Sequence, residues 1–433
     1  MLDIKLIRED PDAVRRNLER RQDPAKLELL DALLEEDERW REATIQVNQM
    51  RRRRNEIASQ IGKVLKEGGD PSSLRKEASK IPPLIADAEK TLEHHRKKML
   101  DAQMRLPNIL HESVPYGAEE HDNVEIRRWG APPKFNFTPR SHSEIAINLG
   151  ILDMERAAKV SGAGFYYLRS ELALLEMAIM QYAVDHLVKK GYTLIRPPYM
   201  IHRKPYEGVT DLADFEDVMY KIDDEDLYLI ATSEHAMGAM FMDETLLAEN
   251  LPLKLCGISP CFRKEIGTHG KYTKGLFRVH QFNKIEQFIF SLPEQSWTLH
   301  EELQKNSEEL YQGLGLHYRV VNVCTGDIGS IAAKKYDIEA WMADGEFREV
   351  GSNSNCTDYQ ARRLNVKYRM KEGQSPVGPT HTLNNTALAT SRTLIAIIEQ
   401  YQQEDGSIKI PETLKKHMNG LEIIEGTLNP LNI

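Results

Sequence analysis

The chemistry in this chain concentrates in FRKEIGTHGKYTKGLFRVHQFNKIEQF, residues 262–288. Arg263 and Glu265 stand before IGTHGKYTKG, a stretch with three glycines, two lysines and His269. Beyond it Arg278, His280, Phe282, Lys284 and Glu286 fall at every second residue, while Phe277, Val279, Ile285 and Ile289 take alternate positions. A strand's two-residue period predicts one face that packs and one that works. Two antiparallel strands are therefore expected, with Arg263 and Glu265 sharing a face of the first. A glycine-rich cationic loop between them suits a polyphosphate that must be approached, covered and released. No GxxxxGK[ST] and no GxGxxG occurs in the chain, so a nucleotide would lie across an antiparallel sheet. His269 reads as a solvated or phosphate-proximal residue, and His280 and His381 as structural ones.

The elements that must position these residues fall after residue 110. Residues 106–141 carry scattered Pro, Gly and Asn without a sustained period and read as a connector. SELALLEMAIMQYAVDHLVKKG, 170–191, is an amphipathic helix ended by Gly191, and YTLIRPPYMI is a strand whose prolines suit an edge or an end. CFRKE, LFRVHQFNKIEQFIF, HYRVVNVC, FREVGSNSN and YQARRLNVKY are strand candidates, and helices are expected near 293–313, 329–343 and 386–403. Strands joined by turns, without regular helical crossovers, predict an α+β domain: an antiparallel sheet flanked by helices, over 111–433.

Residues 1–110 have a different pattern. Leu30, Leu33, Trp40, Val47, Ile57, Ile61 and Val64 recur mostly at spacings of three, four and seven. GGDPSS, 68–73, breaks the pattern, which resumes through Leu74, Ala78, Ile81, Ile85, Ala88, Leu92, His95, Met99, Ala102 and Leu106. Two such helices joined by a short turn must run antiparallel, a coiled-coil hairpin roughly 50 Å long at 1.5 Å per residue. Pro82 and Pro83 should kink or split its second helix. From Arg39 to Lys66 eight Lys or Arg face two acids, a local balance of +6. Arg51, Arg52, Arg53 and Arg54 ring a full turn with only Glu56 close in sequence. A dimerising coiled coil would carry mixed charge, whereas cations on every side of a rod suit an extended polyanion.

Composition bounds the rest. With 41% hydrophobic and 28% charged residues the chain is of ordinary globular type, and its net charge of -9 argues against indiscriminate coating of nucleic acid. MLDIKLIRED lacks a secretory pattern, and no apolar run approaches the ~18 residues a membrane span needs, so a cytoplasmic protein is expected. Cys256, Cys261, Cys324 and Cys356 form no CxxC pair and have no histidine at zinc spacing, which predicts buried thiols and no zinc site.

Taken in order, these blocks resemble the seryl-tRNA synthetases, a family of class II aminoacyl-tRNA synthetases, over essentially the whole chain. MLDIKLIREDPDAVRRNL resembles the family's opening and the hairpin its tRNA-binding arm. KVSGAGFYYL leads into a segment similar to motif 1, which ends at Pro197 and Pro198; 262–290 is similar to motif 2 and LNNTALATSRTLIAIIEQYQ to motif 3. ATSE, 231–234, resembles the serine-binding Thr-x-Glu, and REVGSNSNCTDYQARR the strand with a metal-binding Glu and Ser.

The resemblance implies activation of L-serine by ATP and transfer to tRNA(Ser), with tRNA(Sec) a second candidate, by a homodimer built on motif 1. It puts Arg263 at the α-phosphate and serine carboxylate, Glu265 near the adenine amino group, Phe282 and Arg392 on either side of the base, and Val279 against the nucleotide. Glu349, Val350, Gly351 and Ser352 would line the ATP site, with Glu349 and Ser352 holding Mg2+. Thr232 and Glu234 would take the serine ammonium, and Glu286 and Thr386 its hydroxyl. Catalysis is assigned to Arg263 and Arg392, and tRNA contact to Arg51, Arg52, Arg53 and Arg54. Where bacterial members read Asn-Gly-Ser-Gly and Val-Gly-Arg, this chain has Asn384-Asn385-Thr386-Ala387 and Thr390-Ser391-Arg392, as in archaeal and eukaryotic versions. A synthetase-like protein that charges a carrier protein lacks the basic arm. A non-catalytic RNA-binding relative would have lost some of Glu234, Arg263, Glu286, Glu349 or Arg392, and all five are here.

Overall fold

The computed structural model describes residues 1–211, 218–265 and 275–425. The chain divides into two compact units, Met1–Pro107 and Asn108–Ile433.

The first unit opens with two short helices, α1 (Ile4–Glu9) and α2 (Pro11–Glu19). The long helix α3 (Pro24–Lys66) starts where Asp23 accepts a hydrogen bond from the Ala25 amide and Pro24 fixes the first turn. At 43 residues it extends about 64 Å. After the GGDPSS break come α4 (Ser72–Ala78) and α5 (Ile81–Arg105). Pro82 and Pro83 thus split the second limb; they sit in the first turn of α5, where the missing amides have no intrahelical partner to lose. Leu30, Leu33, Val47 and Ile57 of α3 are buried, and Ile57 packs with Ile81 and Ile85 of α5. The one polar seam residue, His95, meets Glu36 at 2.6 Å. Asp37, only 1% exposed, is clasped by Arg8 at 2.5 Å and Arg41 at 3.0 Å.

The arginine ring departs from the expectation that only Glu56 lies near it. Arg51 pairs with Glu89 and Arg53 with Glu77, each at 2.7 Å, so both partners come from beyond the turn. Antiparallel pairing brings them into reach, which sequence distance conceals.

The second unit is built on an eight-stranded sheet. Its strands are β1 (Val124–Trp129), β2 (Thr193–Ile195), β3 (Leu253–Phe262), β4 (Gln281–Ser291), β5 (Tyr318–Asn322), β6 (Lys334–Trp341), β7 (Phe347–Thr357) and β8 (His381–Ala389). They lie in the order β1-β5-β6-β7-β8-β4-β3-β2, antiparallel except for the edge pair of β2 with β3. Helices α6 (Ser170–Lys189), α7 (Ser233–Gly238), α8 (Ser296–Gly313), α9 (Tyr359–Leu364) and α10 (Thr390–Gln400) accompany it. Leu172, Ile179, Leu303, Leu310, Ile395 and Ile398 from α6, α8 and α10 pack with Ile285, Ile289 and Leu383 of the sheet in one core. On the opposite face of β4 Phe288 and Phe290 pack in a second core, which leaves the stretch with Phe282, Lys284 and Glu286 for the site. The α+β class with a large, mainly antiparallel sheet and a long N-terminal helical arm is as expected.

Several local expectations fail. Residues 329–343 are not helical: KKYDIEAW forms β6, and its apparent helical spacing arises because a central strand is buried on both faces. Tyr336, Ile338 and Ala340 enter the core, while Lys335 meets Asp337 at 3.4 Å and Glu339 meets Arg319 at 2.5 Å. The helix expected over 386–403 begins only at Thr390, because 381–389 is held between β7 and β4. YQARRL is helix rather than strand, capped by Asn365 in the left-handed region with φ +55°. Arg263 and Glu265 lie beyond the end of β3, and Arg278, Val279 and His280 lie before β4. Val279 therefore packs with Phe282 and Cys261 instead of opposing them. All four cysteines are buried and free, as expected.

Candidate active site

The cleft lies over the face of β4 that carries Phe282, Lys284 and Glu286. It is walled by β4, the end of β8 with the start of α10, and β7. Of the expected residues, Arg263, Glu265, Val279, Phe282, Glu349, Val350, Gly351, Thr386 and Arg392 converge there, joined by Phe277 and Lys284. Gly351 allows a close approach of β7 to β8, where a Cβ would stand 3.1 Å from the Thr386 carbonyl oxygen.

Arg263 is aimed by its backbone. Its amide donates to the His280 carbonyl at 2.9 Å, and His280 Nδ1 returns a bond to the Arg263 carbonyl at 2.8 Å. His280 is thus structural, as expected. The Arg263 guanidinium carbon sits 5.2 Å from the Phe282 ring centroid, leaving its polar edge toward the cleft. Glu265 has φ +46° and meets Arg278 at 3.3 Å.

Arg392, on the first turn of α10, lies 4.7 Å from the Phe277 ring centroid and donates to the Glu349 carbonyl at 2.7 Å. Its guanidinium also meets the Glu349 carboxylate at 3.2 Å, and Ser352 Oγ donates to that carboxylate at 3.1 Å. Burial opposes ionisation of Glu349, but Arg392, Lys335 and Arg263 outweigh it and hold its carboxyl well below the usual carboxylate range. Across the β6–β7 ladder Asp337 stands opposite Ser352; burial pushes its carboxyl up to about 7 against the pull of Lys335.

Deeper in the cleft Thr386 Oγ1 donates to Glu286 Oε2 at 3.3 Å, and Lys284 Nζ meets the same oxygen at 2.7 Å. Glu286 is 1% exposed, and burial raises its pKa, with Lys284 opposing. Thr232 caps α7 by accepting from the Glu234 amide at 3.2 Å. Glu234 accepts from Gln360 Nε2 at 3.0 Å and Asn384 Nδ2 at 3.1 Å. Burial, and then the charge of Glu286, push the Glu234 carboxyl up to about 7. Glu234 borders a neighbouring cavity with Asn384, Cys356 and Lys335; Thr232, Glu234, Glu286 and Ser352 do not line the main cleft, and Glu286 lies beneath it behind Lys284 and Thr386.

The sequence reading put Lys284 on the working face but gave it no role; its burial against Glu286 is a tertiary fact. Gln360 and Asn384, which orient Glu234, sat inside recognised segments without a signal of their own. Phe277, expected to pack away from the site, is a cleft residue because it lies before the strand. His269 and the glycine-rich loop lie outside the described residues. Among the described residues no helix is long and apolar enough to cross a membrane.

A cleft on an antiparallel sheet, with one arginine after a strand and another opening a helix, defines a class II aminoacyl-tRNA synthetase core. Residues 218–401 match the family model "tRNA synthetase class II core domain (G, H, P, S and T)", and residues 1–110 match "Seryl-tRNA synthetase N-terminal domain". The serine–tRNA ligase of Methanocorpusculum labreanum is 55% identical over 98% of this chain and 100% of its own length. That of Thermococcus kodakarensis is 50% identical over 98% of both. The seryl-tRNA synthetase of Pyrococcus horikoshii, solved with ATP, superposes with TM-score 0.94 at 47% identity, covering 99% of this chain and 100% of its own. The cytoplasmic enzyme of Naegleria fowleri, solved with AMP, gives 0.89 at 35% identity over 99% of both chains. The chain belongs to the seryl-tRNA synthetase family.

Proposed function

We propose that the protein activates L-serine with ATP, releasing diphosphate, and transfers the serine from the adenylate to tRNA(Ser). The observation that carries this reading is the buried Thr386–Glu286 hydrogen bond beside Lys284, in a cleft whose upper wall is Arg263 and Arg392. An oxygen of the serine carboxylate attacks the α-phosphorus, and the bond to diphosphate breaks. Two anions must meet, so cations have to neutralise both. Arg263 bridges carboxylate and α-phosphate; Arg392 holds the γ-phosphate side and lies against the base opposite Phe282. Glu265 accepts from the adenine amino group, and Val279, Val350 and Gly351 shape the nucleotide's bed.

Thr232 and Glu234 take the serine ammonium, and Glu286 and Thr386 take its hydroxyl. A buried carboxylate that accepts from the substrate hydroxyl favours serine over alanine, which has no donor to offer it. Glu349, Ser352 and the Asp337 Oδ1, which has no hydrogen-bond partner, present the hard oxygens that Mg2+ prefers. Among the described residues no three His, Cys, Asp or Glu gather as a metal group. Bound there, Mg2+ would offset phosphate charge; Glu349 and Ser352 hold it.

Arg51, Arg52, Arg53 and Arg54 contact tRNA(Ser), and tRNA(Sec) is a second candidate for the same arm. An arm of this kind reads double-helical RNA by shape and backbone. The reading includes a cytoplasmic homodimer built on α6, whose exposed Leu174 and Met177 offer apolar surface to a second copy. ATP–pyrophosphate exchange with each of the twenty amino acids, without tRNA, tests the activation step. Exchange with serine alone is expected; silence with all twenty, or exchange with another amino acid, overturns it.

A further inference from the structure

The two carboxylates of the amino-acid pocket are held in different ways. Glu234 is met by neutral amides from Gln360 and Asn384, whereas Glu286 is met by the ammonium of Lys284 at 2.7 Å. Lys284 is itself nearly inaccessible, with 7% of its side chain exposed, and its Nζ also lies 3.4 Å from Thr386 Oγ1. Ammonium, carboxylate and hydroxyl therefore close a triangle at the floor of the cleft. Lys284 and Glu286 are two apart on β4, and Thr386 stands opposite Glu286 on β8, so the backbone register fixes all three.

A buried carboxylate without a cation tends to take up a proton, the more so with a second carboxylate nearby. Protonated, it can donate as well as accept and no longer demands a hydroxyl from its ligand. Ionised, it can only accept, so a ligand that donates gains a bond there that a ligand without a donor does not.

We propose that Lys284 is a specificity-determining residue: its ammonium keeps Glu286 a pure acceptor, so that serine is held and alanine is refused. Lys284 acts through Glu286 and is a positioning residue, not a catalytic one. The assignment rests on the serine reading given above.

Pyrophosphate exchange by the full-length protein tests it, with serine and alanine compared for the wild type, Lys284→Met, Glu286→Gln and the double variant. The wild type is expected to use serine and refuse alanine; if it does not use serine, the pocket reading itself fails. Lys284→Met should raise the KM for serine about tenfold and lower the serine-to-alanine ratio about tenfold, with the KM for ATP unchanged within about twofold. In the Glu286→Gln background the same change should alter the ratio by less than about twofold, because its target is already neutral. Lys284→Gln keeps a donor and most of the volume and should reproduce the loss. A wild-type ratio in either folded Lys284 variant, or an equal loss with and without Glu286, overturns the proposal.

Discussion

Arg392 holds Glu349 twice, once through the backbone carbonyl at 2.7 Å and once through the carboxylate at 3.2 Å. The first turn of α10 is thereby tied to the start of β7 across one wall of the cleft. A cation positioned in advance loses little on reorganisation when charge builds on a phosphate.

Replacing Arg392 with Gln should therefore lower kcat/KM for ATP in pyrophosphate exchange by about 10²–10³-fold. The KM for serine should move much less, since Glu286 and Thr386 are bonded to each other and Lys284 rather than to Arg392. A loss confined to serine binding would contradict the nucleotide role. Glu349→Gln should instead raise the Mg2+ concentration needed for half-maximal exchange, measured by titration at fixed ATP.

Glu234 predicts a pH dependence of stability. Its pKa is about 7 in the fold against 4.5 for the ordinary group, so between those values the folded state binds the extra proton. Stability from this group is therefore lost as pH rises from about 4.5 to 7, by about 3 kcal/mol in all at about 1.4 kcal/mol per unit. Glu234→Gln should raise the Tm relative to wild type at pH 8 but much less at pH 5, as thermal denaturation at the two values would reveal. The same variant should weaken serine binding, which places the cost of the buried carboxylate beside its use.

On the arm, replacing Arg51, Arg52, Arg53 and Arg54 by Gln should impair aminoacylation while sparing pyrophosphate exchange; equal loss of both would refute the division of labour. The stability cost should be small, because the pairs with Glu89, Glu77 and Glu56 are exposed and each contributes about 0–1 kcal/mol. Removing the competing carboxylates in Glu77→Gln/Glu89→Gln should tighten tRNA binding modestly, and at low salt more than at high.

Asp37→Asn in the arm should behave otherwise. Asp37 is 1% exposed and accepts from both Arg8 and Arg41. Neutralising it weakens the charged hydrogen bonds from both arginines and should cost about 1.5–3 kcal/mol. Calorimetry should show the loss in the transition of residues 1–107, with serine activation retained.

Much of this was legible in the order of residues. The heptad pattern through Leu30, Leu33 and Val47 and then through Ile81, Ile85 and Ala102 specifies a hairpin, because burial on a helix follows a fixed period. ATSE, the alternation Phe282, Lys284, Glu286, and the block from Glu349 to Ser352 are local signatures that survive without knowledge of the fold. The basic turn at Arg51 to Arg54 was equally plain.

Periodicity misleads where both faces of a strand are buried, as in KKYDIEAW, and where a strand runs directly into a helix, as at Ala389 and Thr390. There the choice belongs to the neighbouring strands, whose hydrogen bonds outweigh local preference. The acidic partners of Arg51 and Arg53, the amides on Glu234 and the ammonium on Glu286 likewise come from pairing and register. Sequence by itself determined which chemical groups this protein has and roughly which elements carry them. Which charges face each other in the absence of water, and hence which of them are held ionised, only the tertiary structure decided, because desolvation and Coulomb attraction depend on distance through space and not along the chain.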